Sequence, residues 1–265
     1  MFNIFRRLWQ VNWAEQWQYR ANLIMYLLYW LVSPIIYLAV WTSIASSNGS
    51  VNGMTVNDFT TYYLTLLIVD QITSNIVIHT FAFKIQDGSL SGELIRPIHP
   101  MLTNALVNNI AFKALTILGF IPIWIVLYFL YKPDFSGVTA ANILLSIPAM
   151  IMGFFVGFLL SACISTLAFW TTRVYSIYEF YFALALLFSG QFVPLTLMPP
   201  VIQEIARYLP FQLLIYFPVE LILGNLTQAQ IIQGFTSGVI WLTVSIFTFN
   251  AVWRSGIKRY SAVGA

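Results

Sequence analysis

Between Phe59 and Phe83 the sequence sets Asp70, Gln71, Ser74, Asn75 and His79 into an otherwise apolar run. A carboxylate held charged at the middle of a bilayer costs about 2.5–3.5 kcal/mol on insertion scales. Asp70 must therefore be neutral, paired or wet, and ionisable groups in such a place mark pathways or sites. Gln71, Asn75 and His79 recur every four positions, which lines one face of a continuous helix. That stripe either borders a wet path or is satisfied inside a helix bundle. A later run supplies Tyr178, Glu179, Tyr181, Phe182 and Gln191, and His79 and Glu179 are expected to touch. Other chemistries find no residues. The two histidines, His79 and His99, are too few and too far apart for a zinc site, and the single cysteine, Cys163, can build neither a disulfide nor a multi-cysteine centre. Gly88-Ser89-Leu90-Ser91-Gly92 carries leucine where a nucleophile elbow needs serine. No Gly-x-x-x-x-Gly-Lys-Ser/Thr occurs, so no P-loop cradles a phosphate. Catalytic, cofactor-binding and metal-binding residues are accordingly expected to be absent.

The elements that must position these groups follow from composition. Of 265 residues 59% are hydrophobic and 8% charged, where a soluble domain carries about a quarter charged residues. Six runs are long enough to cross the hydrocarbon, at about 23–45, 59–83, 105–131, 140–170, 175–197 and 231–252. Each must be helical, because an open strand leaves its backbone unsatisfied in lipid. Pro34, Pro122 and Pro148 fall inside runs as kinks rather than boundaries. Gly153, Gly157 and Ser161 allow a close approach. Ahead of the first run, Phe2, Phe5, Trp9, Trp13 and Trp17 alternate with Arg6, Arg7, Gln10, Glu15 and Gln18, the pattern of an amphipathic helix lying in the interface. The start lacks the uninterrupted apolar core of a cleavable signal. The expected organisation is an interfacial helix over 1–22 and one all-α integral membrane domain over 23–265.

Basic residues then set orientation. Arg6, Arg7, Arg20, Lys84, Arg96, Lys113, Arg173, Arg254, Lys258 and Arg259 fall on one side of six crossings, and Lys132 and Arg207 on the other, ten against two of the 12 present. Both termini are expected in the cytoplasm. The net charge of +3 is thin and sits at run ends, which fits membrane orientation and not nucleic acid.

Two segments interrupt the apolar pattern. Lys84 to Pro97 is a cytoplasmic loop with glycine turns, a short helix carrying Leu90, Leu94 and Ile95 on one side, and a proline stop. Gln191, Phe192, Pro194, Pro199 and Pro200, then Leu209-Pro210-Phe211 and Leu221 to Gly224, form a proline-punctuated outer stretch. It is too broken for a full span and too apolar for a free loop.

With the N-terminal helix and six spans, these segments make the whole chain resemble the permease subunits of type-2 ABC exporters, in the subgroup whose ATPase is a separate polypeptide, which the Lys258-Arg259-Tyr260-Ser261 tail also resembles. The resemblance implies that Gln86, Asp87, Gly88, Ser89, Leu90, Glu93, Leu94, Arg96 and Pro97 form a cytoplasmic coupling helix between spans two and three. It implies that the outer stretch between spans five and six forms extracytoplasmic re-entrant helices, with Gln191, Phe192, Pro194, Pro199 and Pro200 at the gate. Asp70, Gln71, Ser74, Asn75, His79, Tyr178, Glu179 and Phe182 would line the translocation path. The implied assembly is two permease chains, identical or not, with two ATPase subunits that bind ATP and Mg, in a bacterial-type plasma (inner) membrane. An ATP-independent secondary transporter or channel is the rival reading, against which stands the lack of similarity between the two halves of the chain. The cargo is not named by any residue.

Overall fold

The computed structural model describes the backbone of residues 2–75 and 77–260, and the side chains of these except residues 2–4, 20, 103 and 104. The side chains of Phe2 and Arg20, and Ser261 of the basic tail, lie outside the described residues. The helices are α1 Phe2–Gln18, α2 Arg20–Asn48, α3 Val56–Thr73, α4 Phe83–Gln86, α5 Ser91–Leu94, α6 Val107–Tyr131, α7 Ala140–Thr166, α8 Val174–Phe188, α9 Pro200–Tyr208, α10 Tyr216–Leu223 and α11 Gln228–Gly256. Five helical segments are long and apolar enough to cross a membrane: Ala21–Asn48, Val56–Gln86, Val107–Tyr131, Ala140–Phe169 and Gln228–Gly256. Met25, Tyr29, Val126, Phe129, Leu144 and Phe247 stand exposed on their outer faces. In water that apolar belt would be an aggregation surface; in a bilayer it meets lipid. The chain is a multi-pass membrane protein.

Helices α2, α6 and α7 run on through Pro34, Pro122 and Pro148, as expected of prolines in a membrane. The fifth predicted span does not survive as a full helix. α8 has 15 residues, a rise of about 22 Å against about 30 Å of hydrocarbon. Residues 189–197 instead form a loop and a short 3-10 turn, because Gly190 takes φ +83° and Pro194 ends any helical hydrogen bonding.

Helix α7 is central, packed on α11, α10 and α3, while α2 and α6 close over α3. One apolar core joins Leu38, Phe59, Tyr63 and Leu67 to Phe120 and Val219. A second, at the other end, gathers Phe81, Leu90, Met101, Phe158, Phe249 and Trp253. The small residues of α7 do permit close approach, but not to another long helix. A Cβ on Gly153 would meet the Leu213 carbonyl oxygen, and one on Gly157 would meet Leu214. They admit the turn between α9 and α10 into the bundle. α1 lies against α6, where Gln16 Nε2 donates to Asn108 Oδ1 at 3.0 Å.

Candidate functional site

The second span is broken where its polar residues cluster. α3 opens with a capping box, in which Thr55 Oγ1 accepts from the Asp58 amide and Asp58 Oδ2 accepts from the Thr55 amide at 2.7 Å. It ends at Thr73, and Ser74 turns to extended backbone at ψ 161°. Thr73 Oγ1 donates to the Val69 carbonyl at 3.0 Å and Ser74 Oγ to the Asp70 carbonyl at 2.6 Å. Side chains thus compete for the carbonyls that a continuing helix would need. Ile78–Ala82 resumes as a π-helix, and a second π stretch, Met101–Leu106, packs against it from the start of α6. Single-turn π segments recur at functional sites. The predicted four-residue stripe is therefore interrupted at Ser74 and Asn75, between Gln71 and His79.

Lys113, in the second turn of α6, holds the break. Its Nζ donates to the Gln71 carbonyl at 2.7 Å and to Ser74 Oγ at 2.5 Å, and the residue is only 8% exposed. It is not the loop cation that the charge count took it for. The ammonium and the Asp70 carboxylate interact across the break, but stand too far apart for an ion pair. The ion pairs among the described residues are Lys84–Glu93 and Arg207–Glu204.

On the other side of the break a cavity of about 70 Å³ is lined by Asp70, Ser74 and Asn75, by Tyr178, Tyr181 and Phe182 of α8, and by Trp30, Ser161 and Gln191. The structure thus joins seven predicted residues, Asp70, Ser74, Asn75, Tyr178, Tyr181, Phe182 and Gln191. It leaves out Gln71, which turns toward Lys113 and Trp124 in separate clefts. It also leaves out His79 and Glu179. The imidazole of His79 lies 6.0 Å from the Tyr175 ring and 5.6 Å from Tyr178, and Glu179 acts on it electrostatically, with no ion pair between the two among the described residues. Lys113, Trp30 and Ser161 were missed; for Lys113 the signal was present, a charge inside an apolar run.

The loop after the second span is a compact knob. Gly88 reverses the chain at φ +83°, a backbone region open to glycine. Asp87 Oδ1 accepts from the Ser89 amide at 2.9 Å and from Ser89 Oγ at 2.7 Å, which holds its carboxyl below the usual carboxylate range. Lys84 Nζ and Glu93 Oε1 pair at 2.6 Å across the loop. Tyr260, beyond α11, donates its hydroxyl to the Gly88 carbonyl at 2.7 Å and accepts from the Ser91 amide at 3.0 Å. Gln86 Nε2 reaches the Thr172 carbonyl at 3.3 Å. Leu90 is buried and Leu94 packs beside it, but Ile95 is 87% exposed, not on their side, next to exposed Arg96 and Pro97.

At the opposite end, Tyr62 donates to the Gly190 carbonyl at 2.8 Å, and Tyr63 and Trp41 donate to the Phe192 carbonyl at 2.8 and 2.9 Å. Gln191 and Pro194 are buried, while Phe192 is exposed, as are Pro199 and Pro200 at the start of α9. Nearby, a cavity of about 610 Å³ is bordered by Asp58, Asp134, Tyr216, Glu220 and Asn225. Burial pushes the Glu220 carboxyl up to about 7, against the Asn225 amide that donates to it at 2.8 Å.

Residues 21–264 match the sequence profile of the ABC-2 family transporter proteins. The chain belongs to the ABC-2 transporter family. No curated protein matches it. As an ABC-2 membrane protein it carries helices and no P-loop sequence, so its own residues supply the membrane component of a transporter.

Proposed function

We propose that this chain is the permease subunit of an ATP-driven exporter, forming the translocation path and driven by a separate ATPase. The observation that carries the reading, beside the family itself, is the loop from Lys84 to Pro97. It is tied internally by Lys84–Glu93 and to the end of the chain by Tyr260, and it offers Ile95, Arg96 and Pro97 outward. A loop so fixed transmits displacement into the π segments and the second span behind it.

The assembly we propose has two such chains and two ATPase subunits binding ATP and Mg. The Lys84–Arg96 loop, the turn before α8 and the segment after α11 meet at one end of the bundle. With Lys113 counted as an intramembrane residue, the basic asymmetry is nine against two of the 12, which favours that end as cytoplasmic. α8 leads from it to the Gly190 loop, so α8 with that loop acts as the sixth crossing in a bacterial-type inner membrane, and α9 and α10 dip back as re-entrant pieces.

The test is affinity purification of the tagged chain in mild detergent, with identification of partners and an ATPase assay. A co-purifying Walker-motif subunit, whose ATPase rate in the complex changes with Ile95→Asp, is the expected result. A chain that purifies alone and exchanges solute in liposomes without ATP overturns the reading in favour of a secondary transporter.

A further inference from the structure

The cavity beside the broken second span has the composition of a cation site. Asp70 is 5% exposed, and among the described residues its carboxylate receives no hydrogen bond. Asn75 Oδ1 is likewise buried without a partner. A buried carboxylate open toward a cavity is costly unless a donor meets it. Four aromatic residues, Trp30, Tyr178, Tyr181 and Phe182, share the wall with small, hydroxyl-bearing and aliphatic side chains. Trp30 comes from α2, and Tyr178 stacks beside Phe182 with centroids 6.4 Å apart and lies 5.9 Å from Tyr181. Carboxylate and aromatic faces together are the chemistry that recognises an ammonium group. Among the described residues no basic side chain lines the cavity; Lys113 lies behind the break with two of its three donors committed to Gln71 and Ser74. Its charge makes the pair neutral in sum, which keeps the empty site tolerable in lipid.

Resting on the permease reading, we infer that this cavity receives the ammonium head of an amphipathic organic cation, Asp70 accepting from the head while Tyr178, Phe182 and Trp30 flank it. At about 70 Å³ the cavity holds the head alone. The apolar remainder of the cargo extends from the cavity past Phe182, which is partly exposed on α8.

The experiment uses the full chain in nanodiscs of zwitterionic lipid and three probes of one skeleton: 4-phenylbutylammonium, 4-phenylbutanol and 4-phenylbutanoate. Saturable binding is read by calorimetry. The ammonium is expected to bind at least tenfold more tightly than the alcohol, and the carboxylate not measurably. Asp70→Asn is expected to abolish the preference, Asp70→Glu to restore it, and Tyr178→Leu to weaken the ammonium alone, in variants whose elution and melting match the parent. Equal binding of the three probes, or a preference that survives Asp70→Asn, overturns the site. If Asp70→Asn does not fold, the Tyr178→Leu comparison decides alone. A chain that captures its ATPase yet shows no cation preference leaves the permease reading standing and removes this one. Asp70-dependent cation binding by a chain that never captures an ATPase does the reverse.

Discussion

Helices α3 and α11 begin alike and end differently. Both open with a capping box on threonine, Thr55 with Asp58 and Thr227 with Gln230. α11 then continues for 29 residues, while α3 stops after 18. Where α11 is interrupted by hydroxyls, Thr236 and Thr243 donate to carbonyls four residues back without breaking it. On exposed faces, they leave the next turn intact. At the end of α3 two such residues are consecutive, Thr73 and Ser74, and a lysine from another helix takes the carbonyl set free. A break in a membrane helix thus needs both a local competitor for the backbone and a distant partner for what is released.

The sharpest way to break that comparison is to remove the partner. Lys113→Met leaves the Gln71 carbonyl unsatisfied and Asp70 an uncompensated buried charge, and is expected to destabilise the chain by about 3–5 kcal/mol. Thermal melting in detergent measures it, and adding Asp70→Asn should recover part of the loss. Gly153→Ala acts from the other side of the break. Its Cβ would sit 2.4 Å from the Leu213 carbonyl oxygen, and displacing that turn is expected to cost about 1–3 kcal/mol, read in the same melt. The smallest effect separates the shared beginnings from the different ends. Thr55→Ala and Thr227→Ala should each cost about 1 kcal/mol. Hydrogen exchange should show fraying confined to the first turn in both helices; fraying that spreads to Ser74 in α3 would mean that the cap, and not the lysine, sets the break.

Much of the fold was legible because length and apolarity alone decide whether a helix can span. The five long helices coincide with five of the six expected runs to within a few residues at each end, and the prolines were rightly read as internal. What could not be read was the continuity of the second span. Ser74 and Asn75 are tolerated in many membrane helices, and the group that fixes their break lies 39 positions away. α8 read as a full span because Phe192, Val193 and Leu195 continue its apolar run, although tyrosine hydroxyls from α3 have claimed the carbonyls there. Ile95 looked like the partner of Leu90 by spacing, but the helix Ser91–Leu94 ends before the periodicity can act. Of the candidate site, Asp70, Ser74, Asn75, Tyr178 and Phe182 do share one cavity, while Trp30 and Ser161 carried no signal of it. The separation of Gln71 and His79 from the others was not foreseen, since it follows from the break.

The buried lysine also constrains how the chain is made. Lys113 enters the bilayer inside a segment that is otherwise apolar, at a cost of about 2.5–3.5 kcal/mol if it inserts alone. Its acceptors on α3 are synthesised first and wait with an open carbonyl. The third segment therefore leaves the insertion machinery most readily against the second, so that the two integrate as a hairpin, and an assembly order is written into one hydrogen-bonded ammonium.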